Sequence, residues 1–286
     1  MDFNSLGLAI SRTENFTARP TVLIKILRLY EENNASSRQL ETIIEQDPAL
    51  TAKVLRVATS SLYNVKSANN VGRALSFLGL NTLRSIAISL AYQEILSRKA
   101  VGAGFDRAVF GRHCLAVAVG AKAIGTMMDP SIADELYIAG LMHEVGILAL
   151  DRFCPAKLCL AFKQAQHLQV PLHVTERNLL KYDHCEVGGL VAEKWKMPEV
   201  VQNAIRYHVD PDAEGKKSLA TAIVIGANHL AHNCGFPAIA KIPVQYEGGI
   251  HFKELGLTQD QIEQIEATIV AEVALAEKSY GVAQAA

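Results

Sequence analysis

Apolar residues recur along almost the whole chain at intervals of three and four, the period of a helix with one buried face. Val22, Leu23, Ile26, Leu27 and Tyr30 form one stripe, with Pro20 or Thr21 where a helix would begin. Ser36 and Gln39 have the spacing of a capping box ahead of Leu40, Ile43 and Ile44. Asp47 followed by Pro48 predicts another start, because the aspartate accepts from free amides and the proline gives up no needed donor. Leu50, Val54, Leu55 and Ala58 then share a face. After the polar stretch YNVKSANN a short helix ends at Gly79, and another opens at Asn81.

Further helices are predicted over about 106–128, 132–152, 155–167, 173–182, 184–195, 198–208, 217–233 and 259–279, with Thr258 and Gln261 boxing the last start. One long irregular stretch, from Gly235 to Gly256, contains Pro237, Pro243 and the Gly248-Gly249 pair. No alternation at period two and no solenoid-length repeat stands out. The expected fold class is therefore all-α, with an N-terminal helical bundle over residues 1–100 packed on a helical domain over 101–286.

Composition narrows the function. Half of the 286 residues are apolar, a fifth are charged and the net charge is −1, which fits a globular chain and not a nucleic-acid binder. No basic start leads into a long apolar stretch, and no apolar run approaches the roughly 18 residues of a span, so a cytoplasmic location without membrane contact is expected. Five cysteines without a CxxC pair are expected to be reduced thiols. Lys53, Arg56, Arg73 and Arg84 read as solvated charges, and Trp195 reads as a core plug. Gly188-Gly189 reads as a close helix contact.

The candidate chemistry lies in GLMHEVG, residues 140–146, inside the apolar run LYIAGLMHEVGILAL. Burying an unpaired carboxylate costs several kcal/mol, so His143 and Glu144 need partners, a cavity or an exposed edge. His113, His184 and His208 lie at or near the ends of other apolar helical segments, from which they could project into a common cavity. Imidazole and carboxylate are donors for a hard or borderline divalent metal, but equally for a set of hydrogen-bonded groups holding helices in register. Neighbours on a helix are about 100° apart, so His143 and Glu144 could reach one ion only if the backbone around them flexes or the cavity wraps that face. His167, His173, His232 and His251 receive no role.

The order of these motifs resembles the HD phosphohydrolase superfamily, in which histidines and a His-Asp pair from successive helices hold divalent metals. ETIIEQDPALTAKVLRVATSSLYN, then ALSFLGLNTLRSIAIS, GLMHEVGIL and HCEVGGLVAEKWKMP, resemble its HDOD branch of bacterial signalling proteins over roughly residues 16–235. EQDPALTAKVLRVA is the most specific element. The resemblance implies a degenerate HD-like second part with His113, His143, Glu144, His184, His208 and Asn228 as a vestigial metal site. Of these, His113, His143, Glu144 and His184 would be the ligands if an ion is bound. Two departures stand out: Glu144 where the aspartate would be, and Asn228 where a late aspartate would be. His208 is followed by Val209, so the doubled histidine of HD-GYP phosphodiesterases is absent. The expected function is non-catalytic signal transduction through a protein partner, from a two-component or cyclic-dinucleotide pathway, or through a small ligand, with no cofactor. The alternative is a metal-dependent phosphohydrolase acting on a nucleotide or cyclic dinucleotide, with a divalent metal ion.

Overall fold

The computed structural model describes residues 1–13, 21–29, 36–60, 68–97, 105–215, 218–243 and 254–280, with Tyr63, Val65, Ala100, Val101 and Phe252 between them. His251, Gly248 and Gly249 lie outside the described residues. Among those described there is no strand, and the fold is all-α.

In the first part, α2 (Thr21–Arg28), α3 (Ser37–Glu45) and α4 (Pro48–Thr59) pack on α5 (Val71–Leu96). The starts follow the local chemistry. Ser36 and Gln39 form the reciprocal capping box, and the Asp47 carboxylate accepts from Ala49 N and Leu50 N at 3.0 and 3.1 Å. Gly79 has φ 78° and breaks α5 into a short and a long arm, as its sequence position predicts. Helix α1 (Phe3–Arg12), which the periodicity did not mark, lies against the second part. Lys194 Nζ donates to the carbonyl oxygens of Ile10 and Thr13, and the Phe3 ring sits 5.4 Å from that of Tyr182.

The second part is built around α6 (Arg107–Met128), which packs against α7 (Ala133–Met142), α13 (Leu219–Asn233) and α14 (Gln259–Tyr280). Next come α8 (Val145–Phe153), α9 (Pro155–Leu168), α10 (Leu172–Leu180), α11 (His184–Lys194) and α12 (Glu199–Tyr207). By length and hydropathy alone α5 and α6 could each cross a membrane. Yet α5 is broken at Gly79, and α6 spends its apolar residues on the core.

The two parts meet through polar as well as apolar contacts. Ser89 and Tyr137 share a hydrogen bond of 2.7 Å, and Arg107 Nη1 donates to Ile95 O at 3.2 Å while its Nη2 pairs at 2.5 Å with Asp151, which is fully buried within the second part. Trp195 is buried, as expected of a core plug. Arg84 is not the solvated charge it was read as. It is buried and donates to Asn81 Oδ1 at 2.6 Å, because the long arm of α5 turns that face toward the core. Among the described residues all five cysteines are free thiols.

Candidate metal centre

The predicted helix over 132–152 is two helices, and the break falls on His143 and Glu144. Glu144 has φ −96° and ψ 16°, so its carboxylate is swung onto the same side as the His143 ring. The apolar run continues across the break, which is why periodicity alone read through it.

Packing fixes what lies opposite. Gly146, in the first turn of α8, lets that helix touch the start of α11: a Cβ placed there would sit 1.8 Å from the His184 carbonyl oxygen and 2.7 Å from Gly188 N. The expected close contact at Gly188 is therefore present, and it is made with Gly146. Asp183 caps α11, accepting from Cys185 N and Glu186 N, and so orients His184 as its first residue.

Four histidines and one glutamate converge. His113 Nε2 and His143 Nε2 are 3.3 Å apart. Glu144 Oε1 is 3.9 Å from His143 Nε2, and Oε2 is 3.2 Å from His184 Nε2 and 4.0 Å from His208 Nε2. The second nitrogen of each ring is engaged outward. Nδ1 of His113 meets Phe236 O at 2.7 Å, that of His143 meets Gly140 O at 2.7 Å, and that of His208 meets Ile205 O at 2.9 Å. His184 Nδ1 meets Glu176 Oε2 at 2.5 Å. A carbonyl oxygen only accepts, so the first three rings carry their proton on Nδ1 and aim a lone pair inward from Nε2.

Burial sets the charges. The pKa of His113 and of His208 is pushed down to about 3, chiefly by desolvation, and that of His143 falls well below its ordinary value for the same reason. These three rings are neutral at pH 7. His184 is the exception: burial opposes its charge, but the Cys185 sulfur and the carboxylates of Glu176 and Glu144 hold its pKa well above the usual value. Desolvation raises the pKa of Glu144.

Two lone pairs facing each other at 3.3 Å repel unless something positive lies between them. Among the described residues Glu144 Oε2, His184 Nε2 and Asn228 Oδ1 are buried with no hydrogen-bond partner; the first two are close but not aligned for a bond. Nitrogens sharing one ion at bonds of about 2.0–2.1 Å lie about 3.3–3.4 Å apart when they subtend a tetrahedral angle. The outward Nδ1–H bonds are the orienting contacts that metal-binding histidines require. The residues fit a divalent ion.

The site opens onto a cavity of about 70 Å³ whose wall includes Glu144, His184, His208 and Asn228. His113 and His143 lie behind it. His173, His229 and His232 also line it. His173 and His232 were assigned no role, His229 was not singled out, and Glu176 was missed as the partner of His184. Nothing in their spacing marks them, since α10 and α13 reach the cavity only through tertiary packing. Residues 236–243 form a strap over the opening. Ala238, Ile239, Ile242 and Pro243 face the cavity, while Gln166 Nε2 donates to Ala240 O at 2.8 Å and Gln169 Nε2 to Lys241 O at 3.4 Å.

An all-helical fold that gathers histidines from successive helices around a His-Glu pair has the architecture of an HD-type protein. The model of the HDOD domain family matches residues 17–211, and the chain belongs to that family. It is similar in structure to an HDOD domain protein of Geobacter sulfurreducens, with TM-score 0.78 and 23% identity over 96% of this chain and 97% of that one. A candidate signal transduction protein of Marinobacter aquaeolei VT8 gives TM-score 0.74 and 23% identity, covering 98% of this chain and 65% of that chain. A candidate phosphohydrolase of Shewanella amazonensis SB2B gives 0.64 and 22% identity, over 87% and 93%. In sequence the chain is 27% identical over 203 residues to an uncharacterised protein of Treponema pallidum (strain Nichols), matching 69% of this chain but only 38% of that relative's length.

Proposed function

We propose that this HDOD protein is a regulatory module that works by binding, holding a divalent metal ion in its histidine pocket without turning over a phosphoester. The size of the cavity carries this reading. About 70 Å³ accommodates a few waters or a small ion with its waters, whereas pockets for nucleotide-sized ligands run to about 300–1,000 Å³. Negative charge is scarce too: among the described residues Glu144 is the one carboxylate at the inward nitrogens, Glu176 acts through His184, and Asn228 is neutral.

A bound divalent ion would supply Lewis acidity and a more acidic water. It would be held by one of two sets of buried donors, His113, His143 and Glu144 or His184, Cys185 and His208, the ligand atoms of each set lying within 4.8 Å of one another. The chain's own groups then do structural work. Three backbone carbonyls fix three ring orientations, Glu176 fixes the fourth, and the strap restricts access of water and substrate. The output in this reading passes to a signalling partner in the cytoplasm, from a two-component or cyclic-dinucleotide pathway, or to a small ligand. The signal transduction description of the Marinobacter protein supports it only by analogy of fold.

The rival reading, a metal-dependent phosphohydrolase, is favoured by the orienting bonds behind each imidazole. Purified protein loaded with manganese or zinc and offered bis(p-nitrophenyl) phosphate separates the two. No hydrolysis above the metal blank is expected. Turnover that His143→Ala abolishes contradicts the proposal.

A further inference from the structure

The donor set bears on which ion the pocket takes and how many. This question rests on the metal-binding reading above. We infer that the site takes one ion, of the borderline class of zinc, ferrous iron, cobalt or nickel, and discriminates against magnesium and manganese.

Donor chemistry selects the class of metal. The donor atoms gathered here are imidazole nitrogens from four residues, the carboxylate of Glu144 and the sulfur of Cys185, all in a buried setting. Imidazole suits the later divalent metals, while magnesium and manganese favour carboxylate, carbonyl and water oxygens. Magnesium also gives up its waters reluctantly, and this pocket offers it few protein oxygens in return.

Charge decides the number of ions. The distances alone admit two ions, because Glu144 offers Oε1 to His143 and Oε2 to His184 and His208. Two divalent ions would bring four positive charges against Glu144, the more remote Glu176 and at most one thiolate, at Cys185. Asp183 is already committed to Arg177 at 2.7 Å and to the amides at the start of α11. Uncompensated charge in a buried site is costly. One ion is balanced by the two glutamates. The neutral residue that prevents a second is Asn228, whose Oδ1 is buried without a partner in the wall of the same cavity.

The test uses the full chain, stripped with a chelator and equilibrated with zinc, cobalt, manganese or magnesium singly and then with an equimolar mixture. Metal per chain is read by mass spectrometry and affinity by calorimetry. The expected result is one equivalent of zinc or cobalt. From the mixture, magnesium is not retained and manganese stays below a tenth of the bound metal. Cobalt-loaded protein should show the visible bands of a nitrogen-rich, low-coordinate site, a readout independent of any activity. Glu176→Gln should weaken zinc binding about 10–100-fold, the range for losing an orienting partner. Asn228→Asp, a conservative change at a half-buried position, should raise the capacity toward two equivalents. Two equivalents in the unaltered protein, or magnesium or manganese held as firmly as zinc, overturns the inference and leaves the metal-binding reading standing. No bound metal of any kind overturns both.

Discussion

Replacing Gly146 by alanine tests the packing that assembles the site. The added Cβ meets two backbone atoms, the His184 carbonyl oxygen at 1.8 Å and Gly188 N at 2.7 Å, so no side-chain rotation relieves the clash. Helices α8 and α11 must move apart, and with them Glu144 and His184. Overpacking typically costs about 1–3 kcal/mol, and a contact of this kind belongs at or above the upper end. Alanine's better helix propensity returns at most about 1 kcal/mol. The net loss should be at least about 2 kcal/mol, read by urea unfolding as a lower midpoint at unchanged slope. Gly189→Ala is the matched control. The three atoms nearest its Cβ all belong to the side chain of Arg206, with Nε at 2.6 Å, which can swing away, so the change should stay within about 1 kcal/mol. Equal midpoints for the two variants would refute this account of how α8 and α11 set the pocket.

Other outcomes follow from the same contacts. Metal-free protein should lose stability as pH falls below 6.5. The unfolded chain protonates His113 and His208 near their ordinary value, while the folded state resists until about 3, a difference of about 2 kcal/mol each by pH 5. His184, with a raised pKa, has its full stabilising effect already below 6.5, and the raised pKa of Glu144 offsets part of the loss; equal urea midpoints at pH 7 and pH 5 would contradict the assignment of neutral rings. Arg107→Leu removes a close charged partner of the buried Asp151 and should cost about 3–5 kcal/mol, with Arg107→Leu/Asp151→Leu recovering much of it in a double-mutant cycle. Gln166→Ala removes a hydrogen bond holding the strap and should speed release of bound zinc to a coloured chelator about fivefold, the equivalent of about 1 kcal/mol.

Much of the fold was legible because its signals are local. Ser36 with Gln39, Asp47 before Pro48 and Thr258 with Gln261 form the caps their spacing predicts. Gly79 breaks the chain where a left-handed residue was expected. The five residues His113, His143, Glu144, His184 and His208 do come together, and Asn228 lines the same cavity. What stayed hidden depends on distant packing. The break between α7 and α8 falls inside an unbroken apolar run. The role of Glu176 depends on α10 lying beside the start of α11, and the strap reaches His113 across 123 residues of sequence. Arg84 was misjudged for the same reason, since no pattern in α5 alone says which flank meets the second part.

The neutral imidazoles of His113, His143 and His208, anchored through Nδ1 to backbone carbonyls, and the ring of His184, anchored through Nδ1 to Glu176, are placed to offer Nε2 to an ion. Crystals grown with zinc and measured at its absorption edge test this most directly. The account predicts a single anomalous peak about 2.0–2.1 Å from the histidine nitrogens and beside Glu144. A pocket with no peak, or a peak elsewhere on the molecule, would contradict it.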